Sequence, residues 1–406
     1  MPFPIATAFR EGYAIDFNAA LRKFWTAARG RRIIAFMAIQ PGKVESGDAR
    51  ERPKMSDVAR LAGVSVATVS RVLSGSSLVN AETRDRVRHA VGSTGYVVHS
   101  AASGLRLQRS RQLLVILPTI ANAFFAEIVL GVEEAAQAAG FGVLIGSTGD
   151  QPNRQEGLTR QLLTGAVDGL LLLTGQRPLG VPEAPQLRQR IVAISEHIPR
   201  SGIPAVSIDN VRAMAAVTRH LLQLGHRRIG FIGAAANNIL TREREKGFRT
   251  ALLEARVAFD PSLLIHADYS MEAGAKGLQH LLLQTHPALG PVTAVACCSD
   301  EIAIGVVRSA RLAGLSVPGD LSVTGFDDIQ FAAAYDPPLT TIRQPRLLMG
   351  RAAATLLLEA LEGDSLRSRR LNLDYQLMVR GSTAVVSRTA SRRNAAAFAA
   401  PGRKRV

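Results

Sequence analysis

From Gln112 onward, short apolar runs alternate with longer stretches whose apolar residues recur at helical spacing. The runs predict strands at Leu113–Leu117, Gly142–Ile145, Gly169–Leu173, Ile191–Ile194 and Val206–Ile208. An amphipathic helix over Phe124–Ala139, stopped by Gly140, lies among them. A second series follows: helix Ala213–Leu224 with Gly225 as its stop, strand Arg228–Ile232 and helix Glu243–Ala255. After these come strand Leu263–His266, helix Met271–Leu283, strand Ala294–Cys298 and helix Asp300–Ala313. Strands alternating with helices build parallel sheets covered on both faces, an α/β fold. The stretch is too long for one sheet of ordinary size, so two lobes are expected. Open sheets of this kind bind ligands outside the carboxyl ends of their strands. Two lobes can present those ends to each other across a cleft.

Upstream, Lys54–Leu73 has a different texture, two short helices hinged at a tight turn. Ser56 is placed to cap the first, with Val58, Ala59, Leu61 and Ala62 on one side. Gly63 supplies the turn. Ser65 caps the second, with Thr68, Val69, Val72 and Leu73 at helical spacing. Two helices this short need a third to pack on. Asn80 caps one running from about Ala81 to Thr94 and ending at Gly95. Small residues at the crossing and a polar second helix give a helix-turn-helix arrangement.

Charge sharpens this division. The 406-residue chain has a net charge of +16, concentrated at its ends. Residues 1–53 carry +4, residues 54–111 carry +6 and residues 388–406 carry +6, while 112–387 is neutral. A basic head on a neutral body points to phosphate contacts at one end. The two cysteines, Cys297 and Cys298, are adjacent, which supports neither a disulfide framework nor a cysteine metal site and fits a reducing cytoplasm. No apolar run is long enough for a membrane span, and the first residues make a poor export signal. Residues 1–53 are expected to be a disordered extension or to precede the true start, since Met37 and Met55 both stand before the first helix. The last residues read as a disordered basic tail. Between head and body, Gly95–Arg106 is weakly helical, because Gly104 costs a helix about 1 kcal/mol relative to Ala. It reads as a linker that orders on a partner.

These features together resemble the lactose-repressor (LacI) family of bacterial transcription regulators. The likeness runs from about Lys54 to Thr383 and includes DVARLAGVSVATVSRVL, RHLLQLGHRRIGFIG, ACCSDEIAIGV, VPGDLSVTGFDD and DPPLTTIRQP. Within the family the pattern is most similar to a cytidine-responsive subgroup. The resemblance implies a three-helix helix-turn-helix domain at 54–98 and a hinge segment at 99–110. It implies a two-lobed, periplasmic-binding-protein-like (type I), doubly wound domain thereafter. The first lobe would comprise 111–209 and 317–346, the second 210–316 and 347–386, with a tail at 387–406. It also implies a homodimer on a roughly palindromic double-stranded operator and a small-molecule effector between the lobes.

Carried over by position, Val66, Ala67 and Arg71 match the family's base-reading residues, and Ser65, Thr68 and Ser70 match residues holding the DNA backbone. Arg71 can fork onto guanine or meet a phosphate, whereas Val66 and Ala67 offer only apolar contact. Leu105 matches the hinge leucine that wedges into the minor groove, with Ala102 packing beside it. Val98 departs from a common proline. For the effector, Phe124 and Phe125 open the first lobe's first helix. Arg244 is read as beginning a helix, where a cation opposes the dipole and is better placed to grip a ligand oxygen. Tyr269 resembles the family's stacking aromatic, and Asp300 is either an N-cap or an acceptor for ligand hydroxyls. One Arg, one Asp and several aromatics suit a nucleoside better than a plain hexose, with pentoses and hexoses left open. Asp209 and Asn210 either join the pocket or end a strand.

Enzyme motifs are missing. Gly140-Phe141-Gly142 precedes a strand where a dinucleotide fingerprint should follow one, and no GxxxxGK(S/T), HExxH or GxSxG occurs. The adjacent cysteines sit in an apolar strand and read as buried. No catalysis, cofactor or metal is expected. A periplasmic sugar-binding protein shares the two-lobed architecture, and the attached helical unit argues against it.

Overall fold

The computed structural model describes residues 53–73, 75–96, 109–149, 151–284, 286, 290–363 and 370–387. Ala102, Leu105 and nearly all of both terminal extensions lie outside these residues. The chain divides into two compact units, residues 1–98 and 99–406.

In the first unit, α1 (Met55–Ala62), α2 (Val66–Leu73) and α3 (Ala81–Thr94) enclose a small core of Val58, Ala59, Ala62, Val69, Val72, Val79, Val87 and Ala90. The turn at Gly63 has φ 64°, a left-handed conformation that suits glycine. Ser65 Oγ accepts from Thr68 N at 3.1 Å and Asn80 Oδ1 from Thr83 N at 2.8 Å, so both cap as expected. Ser56 does not. It lies inside α1, and the Asp57 carboxylate reaches back to the Lys54 N–H at 2.9 Å. Leu61 also departs from expectation, turning 58% exposed to the outside of α1.

The second unit contains two parallel sheets. The first joins β1 (Gln112–Leu117), β2 (Gly142–Ser147), β3 (Gly169–Leu172), β4 (Ile191–Ile194) and β5 (Ala205–Ile208). Helices α4 (Phe124–Ala138), α5 (Pro152–Leu163) and the short α6 (Pro185–Arg188) connect them. Helix α7 (Asn210–Gln223) then leads into the second sheet. That sheet is built from β6 (Ile229–Gly233), β7 (Leu264–His266), β8 (Ala294–Cys297) and β9 (Ser322–Thr324), with α8 (Ile239–Glu254), α9 (Met271–Leu283) and α10 (Asp300–Leu312) between them. Beyond β9 come α11 (Gln330–Ala334), β10 (Thr341–Arg343), α12 (Arg346–Glu362), β11 (Arg370–Leu373) and β12 (Gln376–Met378).

These last elements correct the expected lobe boundaries. Strand β9, expected in the first lobe, pairs with β8 of the second, Ala294 opposite Ser322. Helix α12 and strand β11, expected in the second lobe, belong to the first: α12 packs on α4, and β11 pairs with β5, Leu371 opposite Val206. The physical reason is edge completion. Strand β5 ends its sheet with an open edge, and β11 supplies the missing hydrogen bonds from far away in sequence. The chain passes between lobes after β5, around β10 and again before β12, and β10 and β12 pair antiparallel at the crossing.

Helices α4 and α12 approach so closely that only glycine fits. A Cβ on Gly131 would lie 2.1 Å from Leu347 O, and one on Gly350 would lie 2.0 Å from Ile128 O. Both obstacles are backbone and cannot swing aside. Gly350→Ala is therefore expected to destabilise the domain by about 1–3 kcal/mol, read as a lower urea midpoint, whereas Gly157→Ala, with open space around it, leaves the midpoint unchanged or raised.

Candidate DNA-reading helix and interlobe cleft

Helix α2 buries Val69 and Val72 and turns Val66, Ala67 and Arg71 outward. Thr68 and Ser70 are half-buried, and Ser65 is exposed at the helix start. Ser65 Oγ also lies 2.9 Å from Thr68 Oγ1, so the cap and the first turn are fixed together. The expected base-reading and backbone-holding positions thus share the face that the three-helix core leaves open.

In the second unit the cleft lies where the carboxyl ends of both sheets meet, and the lobes touch across it. Asn238 Nδ2, on the second lobe, donates to both oxygens of Glu196 on the first at 3.4 Å. Glu243 of α8 stands 3.6 Å from His197 and 3.3 Å from Arg370, both on the first lobe. The Ala123 N–H donates to Glu301, drawing the start of α4 to the start of α10.

Arg244 is the centre of this region. It is 1% exposed and lies in the second turn of α8, because that helix begins at Ile239 under an Asn238 cap rather than at Glu243. The dipole argument made for a helix start therefore does not apply. Its Nε donates to Asn210 Oδ1 at 3.0 Å, and Nη1 donates to Cys298 O. Nη2 stands 3.9 Å from Asp327 Oδ1, and the guanidinium lies 3.8 Å from the centre of the Phe326 ring. The two alternatives at the first crossover divide between two residues. Asp209 caps α7, accepting from Arg212 N at 2.9 Å, while Asn210 is buried in the polar cluster and also donates to Glu243 Oε2 at 3.2 Å.

Tyr269 is half-buried after β7 and donates its hydroxyl to Asn238 Oδ1 at 3.3 Å. Burial pushes its phenol far up, so it stays protonated. Phe124 is buried in the first lobe's core, edge-on to the half-buried Phe125 at 5.4 Å between ring centres. Asp300 is different. Ser299, accepting from Ile302 N at 3.2 Å, caps α10 in its place. The Asp300 carboxylate is fully buried, one oxygen accepting from Ile329 N at 2.8 Å and the other from Thr341 Oγ1 at 2.6 Å. Each oxygen thus already accepts one hydrogen bond from the crossover segment.

The sequence reading missed Glu196, Asn238 and Asp327. Asp327 lies in the quoted VPGDLSVTGFDD segment, and its φ of 118° is strained for a residue with a side chain. Gln344 Nε2 donates to it at 2.7 Å. Burial pushes its carboxyl up to about 6 against the pull of Arg244 and Arg346. The thiols of Cys297 and Cys298 are fully buried and pushed up, Cys298 to about 12, so they are inert at neutral pH. Among the described residues no cluster of His, Cys, Asp and Glu could hold a metal ion, and no helix is long and apolar enough to cross a membrane.

A carboxyl raised on folding binds its proton more tightly in the folded state. Its stabilisation is fully present below the unfolded value and is lost as pH rises through about 6. The melting temperature of the wild type relative to Asp327→Asn should therefore rise as pH is lowered from 7 to 5. A difference flat with pH would contradict the burial of this carboxyl.

Comparison with known proteins agrees with this architecture. Residues 54–98 match the description "Bacterial regulatory proteins, lacI family", and residues 218–383 match a periplasmic binding protein-like domain. The HTH-type transcriptional repressor CytR of Escherichia coli (strain K12) is 38% identical over 331 residues, spanning 81% of this chain and 96% of the relative. A solved complex of the transcriptional regulator CelR with cellobiose is 33% identical with a TM-score of 0.61, covering 82% of this chain and all of that one. The lac repressor dimer bound to operator and the anti-inducer ONPF is 25% identical with a TM-score of 0.72 over the same shares. This chain belongs to the LacI family, and it is a DNA-binding transcriptional regulator whose operator binding is controlled by a small-molecule effector.

Proposed function

We propose that this protein is a cytoplasmic, homodimeric repressor, without catalytic activity, whose effector is a nucleoside held in the interlobe cleft. The observation behind the effector class is the Arg244 guanidinium facing Asp327, with the Tyr269 phenol on the same lobe and Glu196 on the other. Guanidinium, carboxylates and a phenol ring suit a ligand with hydroxyls to donate, oxygens to accept and a flat face to stack. Phe124 and Phe125 close the first-lobe side. A sugar is the second reading, favoured by the similarity to a regulator solved with cellobiose.

On the DNA side, α2 enters the major groove of each operator half-site. Arg71 reads guanine, Val66 and Ala67 make apolar contacts, and Ser65, Thr68 and Ser70 hold phosphates. Ala102 and Leu105 of the linker enter the minor groove between them.

A thermal-shift panel of nucleosides, purine bases, pentoses and hexoses tests the effector. A nucleoside should raise the melting temperature, and stabilisation by hexoses alone would sink the nucleoside reading. Arg71→Ala should cost about 1–3 kcal/mol on a selected operator and relax preference at one base pair; an equal loss on every duplex would make Arg71 a phosphate contact. Leu105→Ala should weaken operator binding far more than binding to random duplex.

A further inference from the structure

The residues that follow the linker are held to the first lobe in an unusual way. Asp168, just before β3, is 6% exposed. Its Oδ1 accepts from Ser110 N at 2.9 Å and its Oδ2 from Arg111 N at 2.8 Å, while its own N–H donates to Gln112 O at 2.8 Å. Arg111 adopts φ 52°, and its carbonyl accepts from Gly142 N at 2.9 Å. Two residues before it, Arg109 Nη2 donates to Leu361 O at 2.7 Å. The bonds to the Asp168 carboxylate and the Arg109 contact are extra to the β1 ladder, which begins at Gln112. Taking a carboxylate out of water is costly unless its lone pairs are filled, and here two backbone N–H groups of the chain entering from the linker fill them.

The Arg109 contact falls at the end of α12, where the last carbonyls have no partner within the helix and a cation suits the dipole. The other end of α12 is bonded too. Arg346 donates to Asp327 O at 3.1 Å and Asp328 O at 2.9 Å, the crossover that carries the cleft-facing Asp327. Seventeen residues of helix, about 25 Å at 1.5 Å per residue, thus join the cleft to the linker exit. Its glycine crossing with α4 keeps that helix from turning on its axis.

We propose that Asp168 and Arg109 are positioning residues for operator reading: they fix where and in what direction the chain leaves the first lobe toward α2, and α12 carries displacement of the Asp327 crossover to that point. Two readers can occupy two half-sites together only when both chains leave their lobes at set positions. The inference rests on the DNA-reading role of the family and adds to it the residues that aim the reader.

The test uses the full chain and a duplex that the wild type selects from a random pool, compared with random-sequence duplex. Asp168→Asn keeps the size of the side chain but loses one acceptor. It should make the Ser110 and Arg111 amides exchange faster and lower the ratio of selected to random affinity by about tenfold, with random-duplex affinity unchanged. Arg109→Gln, at an exposed side chain, should move the ratio in the same direction by a few-fold. The double variant should lose less than the product of the two, because both act on one exit. An unchanged ratio despite faster amide exchange, or an equal loss on both duplexes, overturns the proposal. If Asp168→Asn does not fold, an unchanged ratio in Arg109→Gln overturns it alone. A wild type that selects no sequence would overturn the DNA-reading role itself, and the proposal with it.

Discussion

The effector domain is arranged around one buried positive charge. A guanidinium taken out of water is severely penalised unless charge, hydrogen bonds and packing replace its hydration. For Arg244 those replacements come from three parts of the chain that are distant in sequence. The first crossover provides Asn210, the end of β8 provides the Cys298 carbonyl, and the second crossover provides Phe326 and Asp327. Satisfying one side chain therefore fixes α7, α8, β8 and the second crossover relative to one another. The strained backbone at Asp327 and Asp328 is held by Arg346, Arg343 and Arg380, which bind their carbonyls and carboxylates. The polar groups here hold one another in place, so little ordering remains to be done on binding.

Much of this was legible in the amino-acid order, for local reasons. Alternation of apolar strands with amphipathic helices placed β1 to β8 within a few residues, and Ser65, Asn80 and Gly63 marked helix ends because capping needs only neighbours. The failures share a cause in long-range pairing. Strand β9 is three residues long, and β11 reads exposed, half-buried, exposed, half-buried, so neither announces itself. Which sheet each joins is decided by an open edge elsewhere. At the site, Arg244 bonds Asn210 and Tyr269 bonds Asn238, while Asp300 and Asp327 could not be told apart by type. Only the hydrogen bonds do so: Asp300 accepts from Ile329 and Thr341 of the crossover, whereas Asp327 accepts from Gln344 and faces Arg244. The start of α8 was misplaced because the Asn238 cap precedes its amphipathic pattern.

The division of charge has its own logic. A neutral body between basic ends concentrates affinity for polyanions at those ends, since non-specific affinity follows local positive charge. Among the described arginines of the second unit only Arg228, Arg244 and Arg346 are buried, the last two at the cleft and the crossover.

The paired crossing of β10 and β12 sets the kind of movement open to the lobes. Thr341 to Arg343 run antiparallel to Gln376 to Met378, joined as a two-stranded ribbon. Such a ribbon flexes across its flat face while its cross-strand hydrogen bonds resist shear within its plane. Bending at this ribbon leaves its cross-strand hydrogen bonds in place, whereas sliding one strand along the other would break them.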